Sequence, residues 1–146
     1  MTTAVAAGIF VLAYEATVMD SRKSQGAAIS SDKAPATAGA RLRFKSTAYC
    51  KGLTTASGVG VTTGIVAADP AILPEGSVIE IDGAPKSSNA LPDKYRGIYT
   101  VMDTGPAVNG RQIDIYLWSC GEALTLGRRD TLVTVLRLGW NPKNTR

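Results

Sequence analysis

The sequence predicts a mainly β fold: a small closed barrel of six short strands with one short helix. Three observations carry this. Residues 42–49 set Leu42, Phe44, Ser46 and Ala48 against Arg43, Lys45, Thr47 and Tyr49, the alternation of a half-buried strand. Further short apolar runs are divided by Gly and Pro punctuation, and a single capped helix interrupts them. Closure is the economical architecture for strands this short, because it removes exposed edges.

Taken along the chain, residues 4–14 (AVAAGIFVLAY) come first, eleven residues without a charge. As a helix they cover about half of a ~30 Å hydrocarbon core, and Glu15 and Asp20 block an extension. The run has the length of a signal-peptide apolar region, although a basic start is missing. Residues 1–19 are therefore expected to be an export signal or a membrane anchor. Residues 20–40 hold Ile29 as their one large apolar side chain among Ser, Lys, Gln, Gly, Ala and Pro. Such a stretch cannot bury enough surface to offset its ordering entropy, so a flexible linker is expected, with the folded domain over 41–146.

Within that domain the strands after 42–49 are predicted at 61–68, 77–82, 97–103, 112–117 and 131–138. Residues 83–96 (GAPKSSNALPDKYR) are polar and proline-punctuated, which predicts an exposed excursion. The helix is signalled by Ser119 as N-cap with Glu122 three residues later, a capping box. Gly127 supplies its stop, and Arg128 and Arg129 suit the negative end of the helix dipole. Tyr116, Trp118 and Trp140 read as core or rim packing, with stacking on a ligand ring as the alternative for a tryptophan in a cleft.

The 146 residues suit one domain and contain no histidine and two cysteines. This excludes Ser-His-Asp and Cys-His catalysis, HExxH zinc sites and four-thiolate metal sites. No metal site or cofactor motif is present in the pattern. Net charge is +4, and residues 1–40 balance three positives against three negatives, so the surplus lies in the folded part. An anionic partner follows from the charge. The basic residues are scattered and lack aromatic interleaving, so nucleic acid is a minor option, and a polyanionic wall polymer fits the charge equally well. If the domain is exported, Cys50 and Cys120 are expected to pair as a disulfide; two buried thiols are the alternative.

Three aspartates stand against apolar runs. Asp69 follows Ile65-Val66-Ala67-Ala68, Asp103 follows Tyr99-Thr100-Val101-Met102, and Asp114 lies between Ile113 and Ile115. Isolated aspartates disfavour strands, and burial or a neighbouring carboxylate raises a carboxyl pKa toward the range of a general acid. For Asp69, which precedes a proline, turn capping is the simpler reading.

The stretch 103–116 (DTGPAVNGRQIDIY) resembles the signature of the three-aspartate (3D) domain, shared with the catalytic part of membrane-bound lytic transglycosylases of the A type and with stationary-phase muralytic proteins. Thr47-Ala48-Tyr49-Cys50, Thr54-Thr55-Ala56-Ser57-Gly58, Val66-Ala67-Ala68-Asp69-Pro70 and Leu73-Pro74-Glu75-Gly76-Ser77 resemble its earlier motifs in the same order. The resemblance implies a double-psi β-barrel. It also implies cleavage of the MurNAc–GlcNAc β-1,4 bond of peptidoglycan to a 1,6-anhydromuramyl end, with Asp114 as acid and then base. Asp103 would hydrogen-bond in the site or sustain the proton affinity of Asp114. Asp69, Thr55, Ser57, Gly105, Asn109 and Tyr116 would contact the glycan. The chain carries Pro106 and Asn109 where the family usually has glycine and lysine, which predicts an altered 105–110 loop. The expected partner is the peptidoglycan glycan strand, in the cell envelope, engaged by a monomer.

Two other readings stay open: a catalytically silent glycan-binding barrel, and a hydrolase using Asp103 and Asp114 as its carboxylate pair. Asp103-Thr104-Gly105 also resembles the aspartic-protease signature. That reading leaves Asp114 unexplained and puts Leu126 on a helix where a protease half needs a strand.

Overall fold

The computed structural model of the chain describes residues 34–140. Its strands are β1 (Arg41–Tyr49), β2 (Ile65–Ala68), β3 (Val78–Gly83), β4 (Gly97–Asp103), β5 (Gln112–Tyr116) and β6 (Arg129–Arg137). They close in the order β1-β5-β2-β4-β3-β6. The β1/β5 and β2/β4 pairs are parallel and the others antiparallel. Advancing every strand by three maps this pairing onto itself: β1/β5 becomes β4/β2, and β1/β6 becomes β4/β3. The barrel is thus two interlocked three-strand halves, each contributing to a parallel crossover, which is the double-psi arrangement.

Alternation works as expected. Phe44 and Ser46 of β1 point inward, while Arg43 and Lys45 are exposed. Val66, Ile79, Ile81, Val101, Ile113, Ile115, Val133 and Val135 are fully buried. Each such aliphatic contributes about 1.5–3 kcal/mol of burial. The buried hydroxyls of Ser46 and Thr131 bond to each other at 2.5 Å, so neither carries an unmet desolvation cost.

The second strand is shorter than the predicted 61–68. Gly64 has φ +86°, a left-handed conformation that ends the extended run, and residues 54–60 form a separate hairpin with a Thr54–Gly60 bridge. The 83–96 excursion is not simply exposed. Leu91 is fully buried and Ala84 and Tyr95 nearly so, because the amides of Ala84 and Leu91 both donate to the Asp130 carbonyl and staple the segment over the start of β6. A short 3-10 helix, Asp93–Tyr95, completes it.

Helix α1 (Cys120–Leu126) forms where predicted. The Ser119 side chain accepts from the Glu122 amide, but the Glu122 carboxylate turns away to Lys94 and Tyr95, so only half of the capping box forms. Gly127 closes the helix with φ +60°, and Arg129 Nε donates to the Leu126 carbonyl at 2.7 Å. Cys50 and Cys120 form a disulfide, fastening the start of α1 to the end of β1. Trp118 and Trp140 are about two-thirds exposed, so neither belongs to the core, and Trp118 packs at the rim, edge-on to Tyr116.

Residues 1–19 and most of the expected linker lie outside the described residues. At its described end the chain is already docked. Ala36 is buried and donates to Ile72, and Gly39 donates to Val135, upstream of the expected boundary at 41. Among the described residues no helix is long and apolar enough to cross a membrane.

Candidate active site

β5 alternates strictly. Ile113 and Ile115 fill the core, so Asp114 faces outward. Pairing then builds a row across four strands: Thr47 lies opposite Asp114, Asp114 opposite Ala67, and Ala67 beside Asp103. The last step depends on a bulge. Val66 pairs with Val101, yet Ala67 pairs with Asp103, so Met102 is skipped and the carboxylate takes its place in the row. Ala67 is the small residue that stands between the two acids in the row.

Thr47 Oγ1 donates to Asp114 Oδ1 at 2.8 Å. Burial raises the Asp114 pKa above the ordinary aspartate value, and the nearby Asp103 charge adds to this, while the Thr47 bond opposes it. Asp103 accepts from Tyr49 Oη at 3.0 Å, from the Ala56 amide at 2.8 Å and from the Thr104 amide at 2.9 Å. The Tyr49 hydroxyl is raised far above its usual value by burial first and by its bond to Asp103 second, so it acts as a donor. Through Ala56, Asp103 also fastens the 54–60 hairpin beside the acid pair.

The structure treats the other expected contact residues unevenly. Ser57 donates to the Met102 carbonyl at 2.7 Å and reinforces the same hairpin attachment. Thr55 is 5% exposed and bonds within the hairpin, so it holds the loop and is not open to a ligand. Asp69 accepts from the Ala71 and Gly110 amides, one on each oxygen, and so ties the end of β2 to the 105–110 loop. Gly105 and Asn109 sit in that loop. Asn109 Nδ2 donates to the Pro106 carbonyl at 2.7 Å, so the Asn109 side chain is engaged within the loop. Asn109 and Gly110 line a separate cavity toward the other end of β5 and not the carboxylate row.

Tyr116 is 3% exposed, which removes it as a direct sugar contact. Its ring lies edge-on between Tyr49, 5.3 Å away, and Trp118, 5.4 Å away. Trp118 is the exposed member of this aromatic group, the placement that suits the stacking role open to a cleft tryptophan rather than the core one. No group of three or more His, Cys, Asp or Glu among the described residues could hold a metal ion.

A closed double-psi-type barrel with a two-aspartate row on its outer face defines a class of small barrel proteins with an acidic site. The 3D domain family model matches residues 64–138, and the chain belongs to that family. Solved structures with a similar barrel include the lytic transglycosylase MltA of Escherichia coli, at 24% identity and a TM-score of 0.47, covering 60% of this chain and 28% of that one. MltA of E. coli with bound chitohexaose aligns at 20% identity and 0.46, with 60% and 28% coverage. The lytic transglycosylase LtgG of Burkholderia pseudomallei aligns at 22% and 0.41, with the same coverage. This chain therefore spans 28% of the length of these structures. No curated protein matches the chain.

Proposed function

We propose that the chain is an exported lytic transglycosylase that cleaves the MurNAc–GlcNAc β-1,4 bond of peptidoglycan. Family membership supports the substrate class, and one observation carries the chemistry: an outward, half-buried Asp114 with raised proton affinity beside Asp103. Protonated Asp114 gives its proton to the glycosidic oxygen as the C1–O bond breaks. Its carboxylate then takes the proton of the C6 hydroxyl as O6 bonds to C1, so the acid is regenerated and no water is consumed. Asp103 holds the proton on Asp114 and faces the positive charge that develops at C1. The disulfide fits an oxidising compartment such as the cell envelope.

Mass spectrometry of the soluble products from purified peptidoglycan tests this. Anhydromuropeptides support the reading. Free reducing ends would make the chain a hydrolase using both carboxylates, and binding without release would make it a silent barrel.

Trp118 extends the aromatic group at one end of the row and offers a flat apolar face to a sugar ring. Trp118→Ala is expected to raise KM roughly tenfold with kcat nearly kept, since stacking contributes about 1–2 kcal/mol of uniform binding. Equal losses in kcat and kcat/KM would assign Trp118 to the chemical step instead.

A further inference from the structure

Alternate residues of a strand share a face, so Arg43, Lys45, Thr47 and Tyr49 form one line on the outside of β1. β5 sets Gln112, Asp114 and Tyr116 beside the last three. Asp114 thus lies midway along this row, with Tyr49 and Tyr116 at one end and Lys45 and Gln112 at the other. Lys45 and Gln112 at that second end also line a cavity of about 520 Å³, together with Arg43, Asn109, Arg111, Arg128 and Asp130 among others.

Four of those side chains are cations and one is a carboxylate. Asp130 is already engaged, accepting from Lys45 and from Ser87 Oγ. Among the described residues, the exposed side chains of Arg43 and Arg128 make no direct hydrogen bond or ion pair, although the Arg43 charge acts on Asp130 through space. Like charges gathered in a concave site repel one another and focus a field that attracts anions. Arginine in addition presents a planar fork that suits a carboxylate. Along β1, Lys45 stands about 7 Å and Arg43 about 13 Å from Thr47, the residue bonded to Asp114, at ~3.3 Å per residue. An anion in the cavity would therefore belong to a group within a sugar or two of the bond being cut.

The GlcNAc–MurNAc backbone is itself uncharged once the lactyl carboxyl carries its peptide. The anionic groups next to the backbone are then the carboxylates of that peptide stem. We infer that the cavity binds the stem carboxylates, making this a protein for peptide-bearing rather than stripped glycan. This rests on the peptidoglycan reading above.

The test is titration of the full chain with a soluble stem tetrapeptide, followed by amide chemical shifts. A second titration uses the same peptide with its carboxyls amidated. The acid form is expected to shift the amides of Arg43, Lys45 and Asn109–Gln112 saturably. The Arg43→Ala/Arg128→Ala double variant is expected to bind it about tenfold or more weakly, having lost two charge-assisted bonds. The variant's spectrum reports at once whether the barrel is intact. Equal binding of the amidated peptide, an unaffected variant, or tighter binding of a glycerol phosphate oligomer than of the peptide would overturn the inference. Peptide binding at the cavity without any glycan cleavage would leave the cavity standing and defeat the transglycosylase reading. Cleavage without peptide binding would do the reverse.

Discussion

Asp114→Asn is expected to reduce turnover by about three orders of magnitude, the middle of the range for losing a general acid–base group. The swap keeps an oxygen where Thr47 donates, so the row and the barrel should survive it. The wild type should lose activity as pH rises through the raised Asp114 pKa, because the reaction begins from the protonated acid. Stability should move the other way for the variant. The folded-state pKa of Asp114 lies above its unfolded value, so its contribution to stability is fully present below the unfolded pKa and is lost as pH rises through the folded one. Asparagine does not titrate. The variant should thus be as stable as the wild type at low pH and slightly more stable at neutral pH. Product analysis beside thermal melts at two pH values checks both. An active variant, or one destabilised at neutral pH, would break the argument.

Removing the disulfide should have the largest effect on stability. Cys50 and Cys120 are 70 residues apart, and closing a loop of that size restricts the unfolded chain by about 4 kcal/mol at most. The Cys50→Ala/Cys120→Ala pair should therefore lower the urea midpoint clearly and Tm by more than about 10 °C. Cys50 follows Tyr49, whose hydroxyl serves Asp103, so loosening here reaches the acid pair as well. A loss below about 1 kcal/mol would mean that the barrel pairings already confine both ends, and that the entropy argument overstates the constraint.

The strands were legible because period-two alternation and Gly-Pro punctuation are local signals. β1, β4 and β5 fall almost where they were expected. Gly64 was harder, because an apolar run gives no sign of where a left-handed residue cuts it. The burial of Leu91 and Tyr95 was hidden for another reason: a polar, proline-rich segment looks exposed until the Asp130 carbonyl is seen to hold it. At the site, Asp103 and Asp114 stood out through their apolar flanks. Their common row did not, since it depends on register between four strands. The basic cavity was invisible for the same reason. Its cations appear scattered along the chain, and β1 meets the start of β6 only in the folded barrel, where Lys45 reaches Asp130 across 85 positions. That Asn109 would turn back on its own loop, donating to the carbonyl three residues before it, was not legible either.

The slip between Val66 and Ala67 has a consequence for how such a protein can change. Scaffold and chemistry are written in different places. The barrel is held by inward-facing aliphatics, which would pair as well in an unslipped register, whereas the second carboxylate reaches its row through a single irregularity in β4. Were the slip to close, so that Ala67 paired with Met102, a thioether would stand at the spot while Val101 kept its place in the core. A lineage could silence this cleft, or reopen it, in one step without first rebuilding the fold.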